Sequence, residues 1–198
     1  MKEQVRAKIP TPWGRLEMIA FAEDENEYSP DLVLLTPSEY NSSDSPVNVR
    51  IHSECITGDL FHSQKCDCGQ QLVSSLEYIR EHSGILIYLR QEGRGIGIIA
   101  KLKAYNLQEE GYNTLDANLH LGYEADERTY EKAVKILKDL GVKNINLLTN
   151  NPDKIDALEN SEIEINKRIP VEIEPNTFNE SYLSTKRDFM GHLLKNYK

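Results

Sequence analysis

All three cysteines of this 198-residue chain fall in one cluster, Cys55 followed by Cys66-Asp67-Cys68. A C-x10-C-x-C grouping in a reducing compartment is the pattern of a zinc site, so any fold that uses it must bring the two segments together. A disulfide is disfavoured, because the count is odd and cysteines one residue apart cannot bridge without strain. Three thiolates are one ligand short of a closed structural tetrahedron. Two readings follow from the spacing: His52 or His62 completes a closed Cys3His site, or the fourth position is kept for water, as in catalytic zinc sites.

Charge narrows the partners. Lys and Arg number 23 against 32 Asp and Glu, a formal net charge of −9. That balance argues against nonspecific binding to nucleic acid or to an anionic membrane, and an anionic ligand would need a local basic pocket. No apolar run approaches membrane-spanning length, and Met1-Lys2-Glu3-Gln4 lacks a signal peptide's hydrophobic region, so a cytoplasmic protein is expected. The length suits one domain, taken as residues 1–198, with room for a sizeable core.

The first fifty residues read as strands at Val5 to Ile9, Arg15 to Phe21, Leu32 to Leu35 and Val47 to Ile51. Turn signals at Pro12-Trp13-Gly14, Glu23 to Glu27 and Asn41-Ser42-Ser43-Asp44 divide them. Leu72, Val73, Leu76 and Ile79 recur at helical spacing, and Ile85 to Leu89 reads as a buried strand. Helices are expected over Ile98 to Gln108, from about Glu127 to Leu140 with Gly141 as its stop, from Asn151-Pro152, and over Tyr182 to Leu194. Strands are expected at Ile145 to Leu148 and Ile163 to Ile165. The pattern predicts an α+β (mixed α/β) fold in which a β-rich N-terminal layer joins alternating strands and helices.

The polar groups gather where these elements meet. Arg50-Ile51-His52-Ser53-Glu54 crowds ionisable groups onto a strand end just before Cys55, and Lys65 beside Cys66 would favour thiolates. Arg90-Gln91-Glu92-Gly93-Arg94-Gly95-Ile96-Gly97 supplies the glycines and arginines of a phosphate cradle. Gly95 to Ala100 also fits the G-x-G-x-x-A dinucleotide pattern, with Asp116 near the ribose position, but its glycines come too late after the strand and too far along the chain. Asp126 is placed to cap the following helix, and Arg128, against the dipole in its first turn, is placed to face an anion. At Thr149-Asn150-Asn151-Pro152-Asp153-Lys154, capping explains Asn151 and Pro152 but not Thr149 or Lys154. Thiolates beside several basic loops suggest hydrolysis of a nucleotide by zinc-activated water.

These segments together resemble GTP cyclohydrolase II, the enzyme opening riboflavin biosynthesis. The resemblance runs through RIHSECITGD, KCDCGQQL, RQEGRGIG, AYNLQEEGYNT, ADERTY, LLTNNPDK and TKRDFMGHLL. It implies that Cys55, Cys66 and Cys68 ligate one catalytic zinc, leaving the site open. It implies hydrolysis of GTP with opening of the guanine imidazole ring, release of formate and pyrophosphate, and a diaminopyrimidine ribosyl monophosphate as product. Tyr105 matches a tyrosine implicated in that hydrolysis, and Asp126 a proposed general acid or proton shuttle. Arg128 matches a proposed nucleophile at the α-phosphorus, although a guanidinium that stays protonated fits an electrostatic clamp equally well. GTP contacts carry over to Arg50, Ile51, His52, Ser53, Glu54, Gln71, Glu92, Gly93, Arg94, Thr114, Thr149 and Lys154, with Mg²⁺ accompanying the triphosphate. A homodimer is implied, and a stand-alone enzyme is expected, since the chain lacks room for the dihydroxybutanone-phosphate synthase domain of some relatives. Asn118-Leu119-His120-Leu121-Gly122 departs from the family's N-H-Q-L-G, so His120 takes no role. The rival readings are a non-enzymatic zinc-stabilised nucleotide-binding module and a relative that stops at the formamide.

Overall fold

The computed structural model describes residues 1–36 and 45–195; the turn expected at Asn41-Ser42-Ser43-Asp44 lies outside them. Seven strands form one sheet: β1 (Lys2–Thr11), β2 (Gly14–Ala22), β3 (Asp31–Leu35), β4 (Val47–Ser53), β5 (Ile85–Leu89), β6 (Asn144–Leu148) and β7 (Glu164–Ile169). Their order is β1-β2-β3-β5-β4-β6-β7. The first four in that order pair antiparallel, and β5, β4, β6 and β7 pair parallel. The mixed α/β expectation is met. Pro12-Trp13 turns β1 into β2, and Gly14 follows at φ +107°, a conformation other residues resist.

The continuous apolar run of β5 is explained by burial on both faces, as central strands with a parallel neighbour require. Ile85, Ile87 and Leu89 join Val49, Ile51, Ile145 and Leu147 in the main core. Leu86 turns the other way, onto Leu76 and Ile79 of α2 (Cys68–His82). The main core is closed by Ala133, Ile136 and Leu137 of α5 (Glu131–Asp139) and Leu158 of α6 (Pro152–Glu159). Each fully buried side chain of this size contributes roughly 1.5–3 kcal/mol relative to exposure.

The remaining helices are α1 (Ile56–Asp59), α3 (Gly97–Glu109), α4 (Thr114–His120) and α7 (Glu180–Met190). Several boundaries differ from the sequence expectation, three of them by four residues. α5 begins at Glu131, not near Glu127, because the stretch before it is held in a loop by Asp126 and by Glu127, whose amide donates to the Arg94 carbonyl at 3.0 Å. β7 runs on to Ile169 through a register shift beside Ile145 and Asn146. α7 stops at Met190 with Gly191 left-handed at φ +63°, so His192 and Leu194 lie on a tail, not on the helix. α4 has no counterpart in the sequence reading; Asn113 caps it, accepting from the amides of Leu115 and Asp116.

β4, β5 and β6 end at the same edge of the parallel region, and the chain leaves β4 for a neighbour on one side and returns to the other. The carboxyl ends of parallel strands at such a crossover point are where open α/β sheets hold ligands.

Candidate functional site

Cys55 follows the end of β4, while Cys66 and Cys68 sit at the mouth of α2, whose N-terminus favours thiolate charge. The three sulfurs lie within 4.8 Å of one another. Cys55 Sγ and Cys66 Sγ are 3.7 Å apart. A tetrahedral zinc with Zn–S near 2.3 Å sets its sulfurs about 3.75 Å apart, so the donor set and spacing fit that ion. Gly58 supports the fit. A Cβ there would meet Cys66 Sγ at 2.9 Å and Cys55 Sγ at 3.2 Å, so a glycine lets α1 close over the cluster. Neither histidine completes it. His52 Nε2 is 3.1 Å from Asp59 Oδ1 and its ring stacks on Tyr88, while His62 sits on a turn at φ +53°.

The lysine that meets a sulfur is Lys101 of α3, not Lys65. Its Nζ is 3.1 Å from Cys55 Sγ and 2.8 Å from Glu92 Oε1, whereas Lys65 pairs with Glu109. Burial works against the Lys101 charge, but the Cys55 sulfur, Tyr105 and Glu92 outweigh it and hold the ammonium above its ordinary pKa. Glu92 also accepts from the Ile56 amide at 2.5 Å and from the Gly93 amide at 2.7 Å, tying the glycine loop to α1. Lys101 is one helical turn before Tyr105, on the same face of α3, and that spacing is the signal by which it was findable. Burial raises the Tyr105 phenol above its usual value, and Lys101 partly opposes this.

Around the cluster is a cleft lined by Ser53, Glu54, the cysteines, Glu92, Gly93, Arg94, Tyr105, Arg128 and Tyr182. Burial pushes the Glu54 carboxyl up despite Arg90 at 3.3 Å. Arg94 is held left-handed at φ +62°, a strained conformation for a residue with a Cβ. Next to it, Gly95 has no room for a Cβ, which would approach the Glu127 main chain at 3.1 Å.

A second cleft adjoins the first and shares Ser53, Cys68, Arg128 and Tyr182 with it. Its lining cations are Arg50, Arg128, Lys154 and Lys186, against Asp67 as the lining carboxylate. Arg50 donates to the Leu148 carbonyl at 3.1 Å and to Gln71 Oε1 at 2.7 Å, and its Nε is buried without a partner. Burial pulls its pKa down to about 10. Lys154 donates to the Ile51 carbonyl at 2.8 Å; burial, then Arg50, Arg128 and Lys186, push it well below its ordinary value. Ile51 itself turns its side chain into the main core, so only its main chain faces the site. Thr149 is buried, its hydroxyl accepting from the Asn151 amide at 3.0 Å, and Asn151 caps α6 through the Asp153 amide.

Asp126 is not the N-cap of α5; Tyr130 holds that position. Asp126 instead accepts from the Arg128 amide at 3.0 Å and from Arg128 Nε at 2.8 Å, with a further contact to Nη2. Burial raises Asp126, but Arg128 overrides it and the net shift is downward; Arg128 is correspondingly more firmly protonated than usual, even against burial. Arg128 precedes the helix, which removes the conflict with its dipole. Thr114 opens α4, and its side chain lies outside the described residues. His120 leans on Tyr112 and lines neither cleft.

Residues 2–170 match the family model described as GTP cyclohydrolase II. The GTP cyclohydrolase-2 of Campylobacter hominis is 50% identical over 97% of this chain and 95% of its own length. That of Picrophilus torridus is 48% identical over 95% of this chain and 96% of its own. The riboflavin biosynthesis protein RibBA of Staphylococcus saprophyticus is 49% identical over 96% of this chain, which spans 47% of that longer relative. With its thiol cluster beside a cationic cleft, and with these matches over nearly its whole length, the chain belongs to the GTP cyclohydrolase II family.

Proposed function

We propose that the protein hydrolyses GTP, opening the guanine imidazole ring with loss of formate, and cleaves pyrophosphate to leave a diaminopyrimidine ribosyl monophosphate, a step of riboflavin biosynthesis. The observation that carries this reading is the adjacency of two unlike clefts, one built on three thiols and one on cations, sharing Ser53, Cys68, Arg128 and Tyr182. A purine base suits the first and a triphosphate the second.

Cys55, Cys66 and Cys68 would hold zinc, which would supply Lewis acidity and a water acidified to a pKa of about 7. Lys101 balances part of the thiolate charge and fixes Glu92. Tyr105, protonated because burial raises it, stands ready to donate its proton as the ring nitrogen leaves. Arg128, more firmly protonated by Asp126, acts as a clamp on the α-phosphate and not as a nucleophile. Asp126, held ionised by Arg128, orients the guanidinium, and any proton it relays is passed on and not kept. Arg50, Thr149 and Lys154 serve the phosphates, while His52, Ser53, Glu54, Gln71, Gly93 and Arg94 frame the nucleoside between the clefts. Mg²⁺ accompanies the triphosphate, and the active form is a homodimer.

The test is incubation of the purified protein with GTP, Mg²⁺ and Zn²⁺, following products by mass spectrometry. Equal amounts of formate and pyrophosphate with the diaminopyrimidine are expected. Intact GTP in the presence of bound zinc overturns the reading, and a retained formyl group removes the role given to Tyr105. Sedimentation at several protein concentrations tests the dimer.

A further inference from the structure

α7 and its tail lie beyond residue 170, where the family match ends, yet they close one side of the cationic cleft. Tyr182, Lys186, His192 and Leu194 do this, the first three with polar groups. Lys186, largely buried, reaches 2.9 Å from Asp67 Oδ1, between the two sulfur-bearing residues Cys66 and Cys68. Tyr182 lines both clefts, with the Lys186 ammonium 4.4 Å and the Arg94 guanidinium 5.6 Å from its ring centre. His192 lines the cleft from the tail, which is pinned by the Leu193 amide donating to the Asn150 carbonyl at 2.8 Å.

We infer that α7 is part of the substrate site, with Lys186 a ligand of the triphosphate and Tyr182 the brace that aims it. The inference rests on the GTP reading only for the identity of the anion. The charge balance of the cleft supports it. Among the described residues neither Arg50 nor Lys154 has a carboxylate within ion-pair distance, and Arg50 Nε is buried with no partner. Asp67, bonded to Gln71 and Lys186, also attracts Arg50, but it is the one lining carboxylate against four lining cations, of which Arg128 has Asp126. Buried, uncompensated cations of this number are costly to keep without an anion, and a polyphosphate is the ligand that meets several at once. The Lys186–Asp67 contact also places the phosphate wall next to the thiol cluster, so one helix touches both halves of the site.

The experiment uses the zinc-loaded full chain and inorganic tripolyphosphate as probe, measured by calorimetry, with GTP turnover in parallel. Lys186→Gln is expected to weaken tripolyphosphate binding at least about tenfold and to raise KM for GTP with a smaller change in kcat, at unchanged zinc content. Lys186→Arg, which keeps the charge, should recover most of the binding and controls for folding. Tripolyphosphate affinity within twofold of the parent protein in Lys186→Gln overturns the inference. Loss of zinc in the same variant also overturns it, since Lys186 would then be a prop for Asp67 alone. Failure of the parent protein to bind tripolyphosphate overturns it too. Strong tripolyphosphate binding by the parent, weakened in Lys186→Gln, with no GTP turnover, keeps the inference and sinks the cyclohydrolase reading instead.

Discussion

On the thiol side of the cleft most charges come in matched sets, Lys101 with Glu92 and the Cys55 sulfur and Arg90 with Glu54, while Arg94 keeps a buried Nη2 without a partner. On the cationic side Arg50 and Lys154 meet carbonyls, an amide oxygen and, for Arg50, the His52 ring nitrogen, with no carboxylate at ion-pair distance, and both are pushed toward their neutral forms by burial. The difference is instructive because both sides are built on the ends of the same strands. A metal-binding half needs its ligands aimed before the ion arrives, so its neighbours neutralise and fix them. A polyphosphate-binding half gains affinity from cations left unsatisfied, since desolvation has already been met in folding and is offset when the anion binds. Arg128 stands on the border, paired with Asp126 yet lining both clefts.

The contrast breaks most visibly at the metal. Cys66→Ser should lose zinc, measured by elemental analysis, and slow formate release at least about 10³-fold, as removal of a Lewis acid worth several kcal/mol requires. Pyrophosphate release, served by the other half, should fall much less. Full formate release from a zinc-free variant would dissolve the distinction between the two halves.

Next in size is Arg128. Replacement by Gln should cost about 10²–10³ in kcat, the scale of losing a charge-stabilising donor, and replacement by Lys about ten times less. Intact-protein mass during turnover should show no guanylyl adduct. An adduct on residue 128 would replace the clamp with covalent chemistry.

Smaller again is Lys101→Gln, which removes the ammonium from Cys55 and from Glu92. Zinc affinity should drop about 10–100-fold with tripolyphosphate binding unchanged, because the lysine belongs to the thiol half alone. Equal losses on both sides would mean that the halves share one electrostatic network.

What could be read from the sequence follows this division. The thiol cluster and the basic strand ends were legible because their residues lie close along the chain: Cys66 and Cys68 are one residue apart, and Arg50 and Cys55 share one strand and its exit. The strands were legible where burial is symmetric, as in Ile85 to Leu89. The start of α5 was misread because Asp126 is a plausible cap by type, and its bond to Arg128 depends on a loop held by Arg94, itself left-handed. Lys186 and Asp67 are 119 positions apart, and no local pattern announces such a pair. Lys101 was missed because a lysine on an exposed helix is the ordinary case; only the packing of α3 over Cys55 makes it unusual.

The smallest effect expected is on pH dependence, and it concerns the cationic half. His192 is pulled down to about 3 by burial and by the Lys186, Arg128 and Lys154 charges facing it. A histidine depressed in the folded state is neutral there while the unfolded chain, with its ordinary value near 6.5, takes up the proton. Stability therefore holds above about pH 6.5 and declines as pH falls toward 3, because protons favour the unfolded state across that window. His52, buried in a neutral form against Asp59, acts in the same direction. His192 is partly exposed, so its share between pH 7 and pH 5 is put at about 1 kcal/mol, or roughly 2–4 °C in Tm for a chain of this size. Thermal melts of the zinc-loaded protein and of His192→Gln should diverge by that amount as the pH is lowered, with the parent losing more. Saturating tripolyphosphate should shrink the divergence, since an anion in the cleft restores the histidine's ability to hold a proton. Parallel melting curves would remove His192 from the cationic cleft and confine the uncompensated charge to the strand ends.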